Sequence, residues 1–305
     1  MTCNNVVEVN TIHKSYGGKC VLCGISFNVR RGELFSVVGP NGAGKTTLLE
    51  IILGLRKPDK GFVRIFCQEE VSRVIDKIGF VLEGMSLRPT LSVTENLQLI
   101  ADIRGFRVTR RDVIRILELL HMSDHRDTPY GKLSAGLKKR ANIAAALLGD
   151  PELLILDEPE ANLDPLSRIE TMDTLLDVAR KKNVTVIYST HVLSIADKYS
   201  DRVLILDKGR MVALGDPREI VMAHAKTWRV KLRIRGGSDI IRAKYDFIKV
   251  DDSFYIIEIR NIDEITNLLD MLKSSNIYVD YLSIEHPRLD DIFKELVGGD
   301  ESAES

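Results

Sequence analysis

The chain has 305 residues, of which 44% are apolar and 29% charged, and its formal net charge is -1. That length accommodates one large domain with a smaller one, and the composition excludes wholesale disorder. Near-neutrality excludes a general basic field for nucleic acid, so such a partner would need a local patch. The opening MTCNNVVEVN has no cationic start followed by an apolar core, so a secretory signal is not expected there. Apolar runs such as Ile143–Leu148 and Leu153–Leu156 are broken by Gly, Asp and Pro, far short of the ~20 apolar residues of a membrane-spanning helix. Four cysteines are too few for a disulfide framework at this length and fit a reducing compartment. Cys20 and Cys23 form a C-x-x-C pair without a second pair at zinc-site spacing, and are expected as small residues filling a pair of strands.

In chain order, alternation predicts strands at 6–11, 25–29 and 33–38. The last runs into Gly39-Pro40-Asn41-Gly42-Ala43-Gly44-Lys45-Thr46-Thr47 and then an apolar-periodic helix over 48–55. A turn at 59–61 leads to strands at 62–66 and 78–82. Helices follow from about 94, over 109–120 and over 137–148. Strands return at 153–156, 185–189 and 202–206, with a helix over 166–181 between the first two. Strands alternating with helices imply a parallel sheet covered on both faces. Beyond about 221–227 the order becomes strand (228–234), short helix (240–244), hairpin turning at Asp251-Asp252, helix (263–274), strand (278–284) and helix (289–296). Asn261 and Glu264 stand at capping-box spacing. That order reads as a small ferredoxin-like α+β domain, and 298–305 as a frayed acidic tail.

Two motifs carry chemistry. In Gly39-x-x-x-x-Gly44-Lys45-Thr46 the glycines let backbone N–H groups curl around phosphate oxygens, and the helix that begins there adds its positive end. Lys45 is placed to reach β- and γ-phosphates and the Thr46 hydroxyl to ligate magnesium. In Leu153-Leu154-Ile155-Leu156-Asp157-Glu158-Pro159 an apolar strand ends in two carboxylates. One faces a metal and the next an attacking water, which are the groups that phosphoryl transfer needs.

With the segments between them, these motifs resemble the nucleotide-binding domain of ABC transporters over roughly 6–221. Leu133-Ser134-Ala135-Gly136-Leu137 matches the family's LSGGQ signature, Leu163-Asp164 its D-loop, and His191 after Ser189-Thr190 its switch histidine. Tyr16 stands where the family places an aromatic on the adenine ring. The resemblance implies an α/β fold: a P-loop NTPase core, RecA-like with the ABC helical subdomain at about 85–150, within a domain at 1–224. It implies a C-terminal accessory α+β domain at 225–298 and a flexible tail at 299–305. It also implies ATP and Mg²⁺ as cofactors, with Gly39 to Thr47 and Tyr16 binding nucleotide, and Thr46, Glu83 and Asp157 near the metal. Glu158 would act as general base or water-positioning acid, Lys45 and His191 beside it, with His191 contacting the γ-phosphate. Ser134, Ala135 and Gly136 would act in trans on nucleotide held by a partner copy, with Asp164 in the D-loop.

The chain departs from the family at Glu83, where Gln is common, at Ala135, where the signature has Gly, and at Leu137, where Gln is frequent. A carboxylate still ligates magnesium, so activity is expected to survive. The segment 84–94 is expected to expose Met85, Leu87 and Arg88 against a membrane partner, and the run Lys138-Lys139-Arg140 fits a solvated face as well as a functional patch. The partners implied are a membrane permease and a second ATPase copy, identical or related, at the inner face of the cell membrane, with export favoured by the C-terminal extension. A soluble ABC ATPase acting on ribosomes or nucleic acid is the alternative. The short 83–133 interval without sustained heptads and the near-zero charge count against it.

Overall fold

The computed structural model describes residues 5–224, 227–235, 245, 247–249, 254–260, 262–285 and 287–298, in two compact units that divide after Pro217. Along β6 (Leu153–Asp157) every residue is buried, yet neighbours face opposite ways. Leu154 and Leu156 enter one core, and Leu153 and Ile155 another. A strand whose successive side chains point to opposite faces can be apolar throughout only when both faces are covered.

The first unit is built around a six-stranded sheet of order β5-β6-β7-β3-β8-β9. Its strands are β3 (Leu34–Val38), β5 (Ile78–Val81), β6, β7 (Thr185–Thr190), β8 (Arg202–Asp207) and β9 (Arg210–Gly215). All pairs are parallel except β8 with β9. One face carries α1 (Lys45–Ile52) and a three-stranded antiparallel sheet of β1 (Asn5–Tyr16), β2 (Lys19–Arg30) and β4 (Lys60–Ile65). The other packs against α2 (Val93–Arg104), α3 (Arg110–Leu119), α4 (Ala135–Ala146), α5 (Pro165–Lys182) and α6 (Leu193–Tyr199). The helical segment expected at 85–150 therefore shares its core with one face of the sheet.

Local chemistry explains these helix starts. Ser92 with Glu95 and Thr109 with Asp112 form capping boxes ahead of α2 and α3, satisfying N–H groups that a helix leaves unpaired. Asn96 of α2 bonds both the N–H and the carbonyl of Arg88 (2.8 and 3.0 Å). The loop so held turns Leu87 inward to 8% exposure, while Met85 stays at 47%. Leu87 is thus a core residue and not the exposed one its loop position suggested.

A second correction concerns the cysteines. Cys20 and Cys23 of β2 are joined by a disulfide, with Cα atoms 6.0 Å apart. Residues three apart on a regular strand face opposite sides. Here consecutive Lys14 and Ser15 of β1 pair with Leu22 and Cys20, and the extra residue, Val21, brings both cysteines to one side. Among the described residues no cysteine is free.

The second unit opens along α7 (Pro217–His224) and contains β10 (Trp228–Arg235), β11 (Phe247–Lys249), β12 (Phe254–Ile259), α8 (Ile262–Ser274), β13 (Tyr278–Glu285) and α9 (Leu289–Gly298). Its antiparallel sheet has the order β11-β12-β10-β13, the strand order of a ferredoxin-like α+β fold. Val230, Leu232, Ile234, Tyr255, Ile257 and Ile259 alternate inward and meet Leu268 and Leu272 of α8. The expected helix at 240–244, the Asp251-Asp252 turn, the Asn261 cap and the tail at 299–305 lie outside the described residues.

One close approach in the first unit is testable. A Cβ on Gly79 of β5 would fall 2.0 Å from the Ala146 carbonyl oxygen of α4. Gly79→Ala is expected to cost about 1–3 kcal/mol, as overpacking does, and to lower the urea midpoint. An unchanged midpoint would mean that α4 is free to move off β5.

Candidate functional site

Three adjacent parallel strands deliver the site. In register, Asp157 of β6 stands opposite Ser189 of β7, and Thr190 of β7 opposite Val38 of β3. The Gly39 N–H donates to the Thr190 carbonyl at 3.3 Å. The carboxyl ends of β3, β6 and β7 thus place the Gly39 loop, the Asp157-Glu158 pair and His191 side by side, where open α/β sheets bind ligands. Val81 pairs with Leu156, so Glu83 lies just past the end of the next strand.

Gly39 and Ala43 to Lys45 are buried, Pro40, Thr46 and Thr47 half-buried, and Asn41 and Gly42 exposed. The α1 helix begins at Lys45, three residues ahead of the first periodic apolar position, because Gly44 turns the chain with φ 104°. A Cβ on Gly44 would meet the Val21 carbonyl oxygen at 2.7 Å. No side chain caps α1, whereas Ser92, Thr109, Ser134 and Asp164 cap α2, α3, α4 and α5. The first-turn N–H groups of α1 therefore meet no side chain of their own and, with the helix dipole, suit an anion.

Lys45 is 5% exposed. Its Nζ donates to the carbonyls of Gly39 (2.9 Å) and Pro40 (3.2 Å) and lies 3.3 Å from Glu158 Oε1. The other Glu158 oxygen is 3.2 Å from His191 Nδ1. Burial pushes the Glu158 carboxyl up, but His191 and Lys45 outweigh it and hold the group below its ordinary range. Glu158 itself is left-handed, with φ 45°, a conformation costly for a residue with a Cβ. Its N–H donates to Ser189 Oγ at 3.0 Å, and its carbonyl accepts from Lys139 Nζ at 2.9 Å and from Ala161 N–H at 3.1 Å. The Ser189 hydroxyl in turn donates to Asp157 Oδ1, leaving Asp157 Oδ2 buried without a partner.

A cleft of about 720 Å³ is lined by Asn41, Glu83, Ala135, Lys139, Asp157, Glu158, Glu160 and His191, among others. Glu160 is fully buried and accepts from the Thr190 hydroxyl; burial pushes its carboxyl up. The remaining nucleotide-binding, signature and D-loop positions lie outside this lining. Tyr16, 41% exposed, ends β1 with Lys14 and Arg56 each 5.5 Å from its ring centre. Ser134 is exposed and caps α4 by accepting from the Leu137 N–H at 3.3 Å, and Gly136 is buried in its first turn. Asp164 caps α5, and Ser167 holds its carboxyl below the usual range.

Four contributors were not assigned from the sequence. Ser189 was visible only as part of Ser-Thr-His, and its bridging of Asp157 and Glu158 follows from strand register. Glu160 and Thr190 form a buried pair between residues 30 apart in sequence. Lys139 sits within a basic run whose helical phase decides which side chain turns inward. Ser189→Ala would leave the Glu158 N–H and Asp157 Oδ1 unpartnered. It is expected to destabilise the chain by about 1–3 kcal/mol per unsatisfied group, read by thermal melting; an unaltered melting temperature would deny the hydroxyl this anchoring role.

Residues 22–161 match the family model described as "ABC transporter". The linearmycin resistance ATP-binding protein LnrL of Bacillus subtilis is 30% identical, over 96% of this chain and 98% of its own length. The Nod factor export ATP-binding protein I of Ralstonia nicotianae is 34% identical, over 71% of this chain and 68% of its own. Among solved structures, cbiO1 of Clostridium perfringens, part of the ABC transporter complex cbiONQ, superposes with a TM-score of 0.65 at 29% identity, covering 72% of this chain and 92% of that one. A glycine-rich loop, a strand-end acid pair and a histidine brought together at the carboxyl ends of three strands agree with these likenesses, and the chain belongs to the ATP-hydrolysing, ATP-binding subunits of ABC transporters.

Proposed function

We propose that this chain is the motor of an exporter whose membrane-spanning part is a separate protein, and that Glu158 positions and deprotonates the attacking water. The observation that carries the reading is the Glu158 carboxylate, held between Lys45 Nζ at 3.3 Å and His191 Nδ1 at 3.2 Å beside the phosphate loop. Phosphoryl transfer asks a protein mainly for positioning and charge compensation. Within the loop from Gly39 to Thr47, backbone N–H groups other than that of Gly39, which is bonded to the Thr190 carbonyl, cradle the phosphates, Lys45 offsets their charge, His191 meets the γ-phosphate, and Glu158 accepts the proton of the water it orients. Tyr16, exposed at the end of β1, offers a ring to the base.

The residues present also fit Mg²⁺. The buried, unpartnered Asp157 Oδ2 is an acceptor in want of a donor, such as a metal-bound water, and the Thr46 hydroxyl lies in the first turn of α1. Among the described residues no group of three His, Cys, Asp or Glu side chains converges as a metal cage, as suits a cation held by few carboxylates and by substrate phosphates. Thr46, Asp157 and Glu83 would hold it, and bound there it would neutralise charge on the β- and γ-phosphate oxygens.

Two copies, or this chain with a related one, would close head to tail so that Ser134, Ala135 and Gly136 of one meet nucleotide bound to the other. The exposure of Ser134 and Ala135 at the start of α4 supports this. Among the described residues no helix is long and apolar enough to cross a membrane. A separate permease and a peripheral place at the inner face of the cell membrane are therefore part of the reading. Export is supported by relatives named for resistance and for export, the first of which extends the likeness over 96% of this chain.

Glu158→Gln is expected to lower phosphate release by about 10²–10⁴-fold, the range for a positioned base, while ATP binding stays within a few-fold. Hydrolysis at the parent rate would remove Glu158 from this role. Affinity purification after gentle solubilisation of membranes is expected to recover a multi-spanning protein in near one-to-one ratio. Recovery with ribosomes or nucleic acid from the soluble fraction would favour the alternative class.

A further inference from the structure

The basic run Lys138-Lys139-Arg140 on α4 splits three ways. Lys138 Nζ lies 5.9 Å from the centre of the Tyr130 ring, and Arg140 pairs with Glu170 at 2.6 Å. Lys138 and Lys139 both line the cleft, and Lys139 donates to the Glu158 carbonyl at 2.9 Å. Glu158 is thereby tied on both sides of its left-handed backbone, its N–H to Ser189 of β7 and its carbonyl to α4. With Lys45 at the carboxylate, two cations from separate helices bracket this one residue, one at each end.

Charge gives the same contact a second consequence. Glu83, Asp157, Glu158 and Glu160 line the cleft together with Lys139. Burial lowers the Lys139 ammonium, and the attraction of all four carboxylates opposes that. Ionised acids around one cleft repel one another, and a cation among them offsets that repulsion. Asp157 is fixed by Ser189 and Glu160 by Thr190, Glu83 is exposed, and the Glu158 carboxylate depends for its orientation on its contacts with Lys45 and His191.

We propose that Lys139 is a positioning residue for hydrolysis: its ammonium clamps the Glu158 carbonyl and balances the cleft's acids, keeping the Glu158 carboxylate turned toward Lys45 and His191. The inference rests on the assignment of Glu158 to the attacking water. It differs from a packing role, in which Lys139 would only fasten α4 to the turn after β6. A packing role depends on the shape of the side chain and is indifferent to charge elsewhere in the cleft.

The test uses the full-length chain at saturating Mg²⁺. Phosphate-release kcat and KM, ATP affinity and melting temperature are measured for the parent and for Lys139→Met, Lys139→Arg, Lys139→Met/Glu83→Gln and Glu158→Gln. The expected result is that Lys139→Met lowers kcat at least tenfold while KM and ATP affinity stay within twofold. Lys139→Arg recovers at least a third of the parent kcat, and removing the Glu83 charge raises the Met variant at least threefold. A Met variant within twofold of the parent kcat overturns the proposal. So does a loss that neither Arg nor Glu83→Gln relieves, or one in which ATP affinity falls with kcat. Should Lys139→Met fail to fold, Lys139→Gln with and without Glu83→Gln supplies the same comparison. If Glu158→Gln hydrolyses at the parent rate, the underlying assignment fails; if it is inactive and Lys139→Met is not, only the role of Lys139 falls.

Discussion

The last rung of the β6–β7 ladder, where Asp157 stands opposite Ser189, is the constraint on which the site depends. Its hydroxyl faces two groups at once, donating to the Asp157 carboxylate and accepting the Glu158 N–H. A shift of one residue in this register would turn Ser189 to the other face of the sheet and break both bonds together. On the other side of β7, its register with β3 seats Thr190 against Val38 and so fixes where the glycine-rich loop leaves β3. The strands that build the core thereby also set the spacing between the loop and the acids.

Glu158 shows how local strain and long-range bonding combine. A left-handed Glu is unfavourable in isolation and persists only where the surroundings over-determine it. Here a serine from β7, a lysine from α4 and the carboxylate's own contacts with Lys45 and His191 all act on one residue. The helix starts show the complementary design. In α2, α3, α4 and α5 a side chain accepts a first-turn N–H, while α1, at the glycine-rich loop, and α6 have no such cap.

The second unit has its own core, built from inward-facing residues of β10 and β12 against α8. Outward-facing cations of β10 are largely matched: Arg229 meets Asp291, Lys231 meets Glu285 and Arg235 meets Asp280, at 2.6–2.7 Å. Pairs this exposed contribute little stability individually. Their consistent alternation keeps one face of β10 polar and the other apolar, which holds the strand's register.

Much of this protein was determined by its sequence alone. Gly39 to Thr47 after an apolar strand, the Asp157-Glu158 pair and His191 are local patterns, and the chemistry proposed for them is read from residue type and spacing. The alternation of strands with helices likewise announced a parallel sheet covered on both faces. Tertiary structure decided the rest. The strand β9 went unread because its residues are exposed or half-buried and lack alternation. Leu87 turned inward because Asn96 grips its loop, and the cysteines met because a bulge changed the parity of β2. Lys139, not its neighbours, reached Glu158 through the phase of α4 against the end of β6. The physical reason is common to all of these. A residue's type and its near neighbours set what chemistry it offers, whereas its partner depends on pairings between segments far apart in the chain, which only folding brings together.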